Sequence, residues 1–188
     1  YGDRLAAAKE MVEGGPIDVL TGDYLAELTM KILYDQREQR GAHMGYVGTF
    51  LKQLEDVVEL CMARGIKIVT NAGGLSSAGM AVEVERILQE KGVTAKVAYI
   101  DGDDLMPELS ALQADGEAFV NIDQNRPLSE CENEVVTANT YFGAWSIKEA
   151  LDLGADIVIC PRLTDAAVVI GPAAWKFNWA RTDYDALV

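Results

Sequence analysis

The chain has 188 residues, of which 49% are hydrophobic, with a mean hydropathy of +0.04, enough apolar material for a sizeable core. Lys and Arg total 16 against 30 Asp and Glu, and the resulting net charge of −14 excludes binding to nucleic acid or to an anionic membrane through a basic surface. An anionic ligand must therefore be held by local amides and a few arginines, against the field of the whole chain.

Residues 1–15 read as a helix with Leu5, Ala8, Met11 and Val12 on its apolar stripe, stopped by Gly14-Gly15-Pro16. The pattern opens mid-helix, so the expectation is a piece of a longer protein. Ile17 to Leu20 read as a short strand ending at Thr21-Gly22-Asp23, with Asp23 placed to cap a helix carrying Tyr24, Leu25, Leu28 and Ile32. Arg37 to Gly45 form a polar, glycine-punctuated loop that holds His43, the one histidine. His43 reads as solvated, with substrate contact as the lesser alternative. Val47, Phe50, Leu51, Leu54, Val57, Val58 and Cys61 then trace a helical stripe as far as Gly65.

Ile66 to Gly92 organise the rest of the chain. Ile66, Ile68 and Val69 make a strand apolar on both faces. The strand ends at Thr70-Asn71, and Ala72-Gly73-Gly74 release the backbone before a helix. Ser76 or Ser77 is a candidate N-cap, Met80, Ala81, Val84, Ile87 and Leu88 form the apolar stripe, and Gly92 closes the helix. A glycine loop at a helix N-terminus leaves amides that can bind an anion; the alternative is that the glycines only make a tight turn. The loop is neither G-x-G-x-x-G nor a Walker sequence, so nucleotide binding is the weaker reading.

Lys96 to Ile100 form the next strand, followed by Asp101-Gly102-Asp103-Asp104. Residues 107–116 read as a short helix, 119–123 as a strand, 124–134 as a loop, and 135–145 as an extended piece turning at Gly143. Ser146 to Glu149 have capping-box form and open a helix closed by Gly154. Ala155 to Cys160 are the last strand. Pro161 to Asp165 then lead into a short helix over 166–170, stopped by Gly171-Pro172, and Asp185 to Val188 read as the opening turn of another helix. Strands alternating with helices predict an α/β fold: a mostly parallel, doubly wound, Rossmann-like sheet with helices on both faces.

In such a sheet the ligand site lies outside the carboxyl ends of the strands. That rule brings together Asp23; Asn71, Gly73 and Gly74; Asp101, Asp103 and Asp104; Asn121 and Asp123; and Arg162, Thr164 and Asp165. Taken singly, each is also explained as a cap or turn residue. The three carboxylates over 101–104 suit a general acid or base if crowding raises one pKa. They also allow Mg²⁺, although the spacing is not that of a calcium loop. Arg162 can clamp a carboxylate or phosphate, or pair with Asp165 or Asp101. Cys61, Cys131 and Cys160 are too scattered for a disulfide framework or a zinc site, and Cys160 reads as a buried small hydrophobe. No stretch has the length and apolarity of a membrane span, and no secretory leader is recognisable, so the expected compartment is the cytoplasm.

The segments IDVLTGDYLAELTM, IKIVTNAGGLSSAGMA, VAYIDGDDL, ANTYFGAWSIKEAL, GADIVICPRLTDAAVVIGP and FNWARTDYDAL, in this order, together resemble the acyclic terpene utilisation AtuA family, also catalogued as a domain of unknown function. The resemblance spans essentially the whole chain. It implies a single α/β domain over 1–188 that is a fragment of a longer family member, lacking a glycine-rich strand upstream and a region downstream. It further implies work in the breakdown of acyclic isoprenoids through acyl-CoA esters. The expectations are an enzyme or essential subunit acting on a small anionic substrate such as a CoA ester, with Asp101, Asp103 and Asp104 as proton-handling residues. Asp23, Asn71, Gly73, Gly74, Arg162, Thr164 and Asp165 would bind the ligand. A homo-oligomer is expected. A non-catalytic assembly or ligand-binding subunit is the alternative. Pro161-Arg162 stands where the family carries Gly-Arg, which keeps the arginine and loses the glycine.

Overall fold

A computed structural model of the protein describes residues 4–187; the first residues of the expected opening helix and the last residue of the chain lie outside the described residues. Strands β1 (Val19–Gly22), β2 (Lys67–Thr70), β3 (Val97–Tyr99) and β4 (Ile157–Ile159) form one sheet in the order β1-β2-β4-β3. Every pairing is parallel, with Leu20 beside Ile68, Ile68 beside Ile157 and Val97 beside Ile157. Strands β3 and β4 are shorter than the apolar runs that predicted them, and β1 begins two residues later than its run.

The pleat sorts the apolar side chains onto two faces. Leu20, Ile68, Val97, Ile157 and Ile159 join one core with α1 (Ala7–Gly14), α2 (Glu27–Arg40), α3 (Gly48–Arg64) and α4 (Ser77–Lys91). Val19, Val69, Ala98, Val158 and Cys160 join the other, with α6 (Trp145–Asp152) and α7 (Ala167–Lys176). The sheet is therefore covered on both faces, as its strands without a polar alternation require. The connections that leave β1 and β2 pass over the first face. Those that leave β3 and β4 reach helices on the second. The topological switch thus falls between the adjacent strands β2 and β4, where the carboxyl ends diverge into a crevice.

Several local expectations are overturned. Residues 119–122 are not a strand: Phe119 has φ 45° and Asn125 φ 52°, and the Asn121 Oδ1 accepts the Asp123 and Gln124 amides. The Asn side chain satisfies the local backbone in place of a sheet partner. Asn121 and Asp123 consequently do not stand at a strand end. The short α5 (Leu109–Ala114) precedes this turn.

None of the three expected caps makes its bond. Helix α2 starts after Ala26, so Asp23 lies too far upstream; α4 follows Ser76 with no side-chain cap; and α6 follows Ala144. The Ser146 hydroxyl donates back to the Gly143 carbonyl instead. Helix α7 runs through Gly171-Pro172 rather than stopping there. Both residues are buried, Gly171 against Ile147 and the Ala144 carbonyl of the α6 region, and this packing supports a proline the isolated helix would reject. At the end of the described residues α8 (Tyr184–Leu187) supplies the predicted opening turn. Among the described residues no helix is long and apolar enough to cross a membrane.

Candidate functional site at the switch between β2 and β4

The end of β2 is laced to the end of β1. Thr70 Oγ1 donates to the Gly22 carbonyl and accepts the Ala72 amide, both at 3.1 Å. Asn71, fully buried, accepts the Tyr24 amide at 2.7 Å and donates to Asp23 Oδ1 at 2.6 Å. Asn71 and Asp23 are thus engaged with each other, and the turn after β1 is held by a side chain of β2. Tyr24 in turn donates its hydroxyl to Gln53 Oε1 on α3.

The glycine loop is tightly enclosed. A Cβ on Gly73 would lie 2.5 Å from Ser77 Oγ and 2.6 Å from the Cys160 carbonyl. Gly74 has φ 54°, and a Cβ there would strike Leu33 Cδ1 and the Gly45 carbonyl. The 45–47 stretch clasps the loop through Leu75 N to Gly45 O at 2.7 Å and Val47 N to Ala72 O at 2.8 Å. Both glycines are therefore demanded by close approach. Gly73 also stands directly against the end of β4, inside the switch. The first turn of α4 presents Ser77, only 5% exposed, whose hydroxyl has no hydrogen-bond partner among the described residues.

The acidic run after β3 does not converge. Asp101 is exposed, and Asp104 Oδ1 accepts the Met106 amide. Asp103 alone turns inward, 5% exposed. Its Oδ2 accepts Asn139 Nδ2 at 2.8 Å and the Arg162 amide at 3.2 Å. Burial pushes the Asp103 carboxyl above its ordinary range; these bonds oppose that push, and the nearby Asp104 charge adds a little to it. The cause is desolvation first, where the sequence suggested crowding. Among the described residues no three His, Cys, Asp or Glu side chains gather as a metal site.

Arg162, beyond β4, is 4% exposed. Its Nη1 donates to the Leu25 carbonyl at 3.1 Å, and to the Leu163 carbonyl and Asp165 Oδ1 at 3.4 Å. Its Nη2 donates to the Tyr141 hydroxyl at 2.9 Å and lies 3.6 Å from Glu27 Oε1, while its carbon centre sits 4.2 Å from the Tyr141 ring centroid. Burial works against this cation, and Tyr141, Asp165 and Glu27 outweigh it, so the Arg162 pKa is raised. The Tyr141 hydroxyl donates on to Glu27 at 2.7 Å, and that bond holds the Glu27 carboxyl below its ordinary range. Thr164 and Asp165 are exposed. Cys160 is fully buried, its thiol pushed far up by burial, as suits a small hydrophobe rather than a nucleophile.

The fold thus brings Gly73, Asp103 and Arg162 together around the end of β4, with Asp23 and Asn71 joined to them across β2 and Asp165 at the rim. Asp101, Asp104 and Thr164 stay outward. Sequence reasoning missed Glu27, Asn139 and Tyr141, which complete the Arg162 and Asp103 clusters. Asn139 and Tyr141 lie in an irregular stretch with no periodicity to mark them, and Glu27 looks like any first-turn acid of a helix. Beside Asp23 and Tyr24 a cavity of about 410 Å³ runs along β1, lined mainly by apolar side chains including Met11, Leu20, Phe50, Leu54 and Ile68.

Compared with known proteins, the chain matches one family, described as acyclic terpene utilisation family protein AtuA, over residues 1–188. No curated protein and no solved structure matches it.

Proposed function

The chain belongs to the acyclic terpene utilisation AtuA family, and from that premise we propose that it is an enzyme acting on a branched acid of this catabolism, presented as its CoA ester. The observation that carries the reading is Asp103: a buried carboxyl at the switch crevice with a raised pKa. Its Oδ2 accepts the Asn139 side-chain amide and the Arg162 backbone amide. A buried carboxyl that retains its proton more readily than usual is suited to give or take a proton beside a bound acyl group.

The other residues have roles consistent with this. The amides that begin α4 and the Gly73-Gly74 loop lie on the electropositive side of the helix, where the acid's negative oxygen is best placed. Arg162 holds Tyr141 and Glu27 over the crevice and anchors the backbone next to Asp103. The apolar cavity beside Asp23 is of the size that takes small ligands and suits a methyl-branched hydrocarbon chain. Asp101, Asp104, Thr164 and Asp165 stand at the exposed rim, where they would meet the polar part of the substrate. The nucleotide-binding alternative has no added support.

The test is a thermal-shift panel of CoA, branched acyl-CoA esters and the free acids, with and without Mg²⁺, followed by turnover assays on the stabilising ligands. The reading expects saturable stabilisation by a branched acyl-CoA. Asp103→Asn should leave that stabilisation intact and lower turnover by about 10²-fold or more. Equal turnover in Asp103→Asn would remove Asp103 from the chemistry. Stabilisation by a partner protein alone would favour the second reading, a non-catalytic subunit of the same route.

A further inference from the structure

We propose that the cavity along β1 binds an apolar chain bearing an uncharged oxygen, a carbonyl or a hydroxyl, and that Gln53 on α3 recognises that oxygen. The inference rests on the reading that this cavity takes the hydrocarbon part of the substrate, and it names the functional group that part carries.

The buried residues of α3 are Phe50, Gln53, Leu54, Val57, Val58 and Cys61, with Gln53 the one amide side chain among them. Gln53 is 8% exposed and lines the cavity of about 410 Å³. Its Oε1 accepts the Tyr24 hydroxyl. Its Nε2 carries two N–H groups and has no acceptor among the described residues. This nitrogen is not sealed inside the core. The fully enclosed polar side-chain atom without a partner among the described residues is Ser77 Oγ, so Nε2 opens onto the cavity. Holding Tyr24 explains the oxygen of Gln53 and leaves the nitrogen without a structural task. A methionine would fill the same space without taking a donor out of water, and the unpaired amide on a cavity wall therefore points to a ligand acceptor.

Charge decides what kind of acceptor. Among the described lining residues there is no Lys, Arg or His, and Asp23 is one of them. The whole chain stands at −14. An anionic oxygen here would meet a carboxylate with no cation beside it, whereas a carbonyl or hydroxyl accepts from Nε2 without that repulsion. The remaining wall agrees: Leu20, Leu54, Val57 and Ile68 supply hydrocarbon, and Thr21 and Thr49 add hydroxyls. Asp23 is also bonded to Asn71, so one residue pair belongs to both the cavity and the switch crevice.

The experiment titrates the ¹⁵N-labelled protein with 2-pentanone, 1-pentanol, pentane and pentanoate at matched ionic strength. It follows the side-chain NH₂ pair of Gln53, assigned by its absence in Gln53→Met. The expected result is saturable shifts of that pair with the ketone and the alcohol, and weaker binding of pentanoate. Gln53→Met keeps the volume and removes the donor, so it should weaken the ketone and the alcohol about three- to tenfold and leave pentane level. Ala8→Leu, on the α1 side of the cavity, fills the space and should abolish binding of every probe without lowering the melting temperature. Four results would overturn the proposal: no saturable shift of the Gln53 pair with either oxygen-bearing probe, pentanoate bound as tightly as the ketone, equal weakening of ketone and pentane in Gln53→Met, or shifts that survive in Ala8→Leu. If Gln53→Met does not fold, the parent and Ala8→Leu titrations decide. Failure here with acyl-CoA stabilisation intact leaves the functional reading standing. Ketone binding at Gln53 with no response to any acyl-CoA sinks the functional reading and spares the site.

Discussion

At the scale of single residues, Asp103 and Arg162 are the two buried charges of the crevice, and opposite physical effects govern them. Burial raises the Asp103 pKa above its unfolded value near 3.8. The folded state then holds the proton more tightly than the unfolded chain does. The stabilisation this supplies is complete below the unfolded pKa and is lost as pH rises through the folded value. Asp103→Asn retains an oxygen that can accept from both Asn139 and the Arg162 amide, and it removes the charge. Its stability relative to the parent should therefore improve as pH rises from about 4 toward neutrality. Urea melts at several pH values check this; an advantage that is flat or shrinks with pH refutes it.

Arg162 is an opposite case, a cation whose burial is offset by five protein oxygens. A lysine keeps the charge but cannot span Leu25, Tyr141 and Asp165 with one ammonium. Arg162→Lys should lose about 1–3 kcal/mol of folding stability in the absence of ligand. An unchanged melting temperature together with weakened ligand binding would instead make the guanidinium a ligand clamp.

At the scale of elements, glycines set how closely the pieces meet. Gly171 lies inside α7, where a Cβ would come 2.7 Å from Ile147 Cβ and 2.9 Å from the Ala144 carbonyl of the neighbouring α6 region. Alanine is the better helix former by about 1 kcal/mol, but one of the atoms it would meet is backbone and cannot rotate away. Overpacking costs about 1–3 kcal/mol, so Gly171→Ala should be destabilising by about 1 kcal/mol on balance. A urea midpoint that rises would show α6 and α7 separating without penalty. The same logic applies to the 71–77 loop. Its sequence allows either a ligand cradle or a turn, and close packing demands the glycines whichever role the amides have.

At the scale of the molecule, net charge and exposed apolar surface pull in opposite directions. Leu153, Val169, Phe177 and Tyr184 are each at least 59% exposed, and the Phe177 and Trp179 rings stack at 5.6 Å near the same end of the chain. Exposed apolar side chains favour self-association where they meet a partner copy. A charge of −14 on each copy opposes it until salt shortens the Debye length, from about 30 Å at 0.01 M to about 8 Å at 0.15 M. We expect sedimentation to show a homo-oligomer whose association strengthens over that range. A monomer at every salt and protein concentration contradicts the expectation.

The local sequence was sufficient to determine the alternation of elements, the parallel α/β class and the carboxyl edge as the place to look. Apolar runs such as Ile66 to Val69 and stripes such as Phe50 to Cys61 carry their periodicity within a few residues, and burial on two faces leaves few other arrangements. The same residues do not carry the partners of Arg162, because Leu25, Tyr141 and Glu27 meet it only after β1, the stretch before α6 and β4 have been set side by side. Nor do they distinguish Asp103 from Asp101 and Asp104. Three neighbouring carboxylates look alike in a sequence, and only the packed sheet decides which one loses its water. The caps are a related case: Asp23 is taken by Asn71 across the sheet, Ser146 bonds back to the Gly143 carbonyl, and Ser76 stands at the start of α4 without a side-chain bond to it.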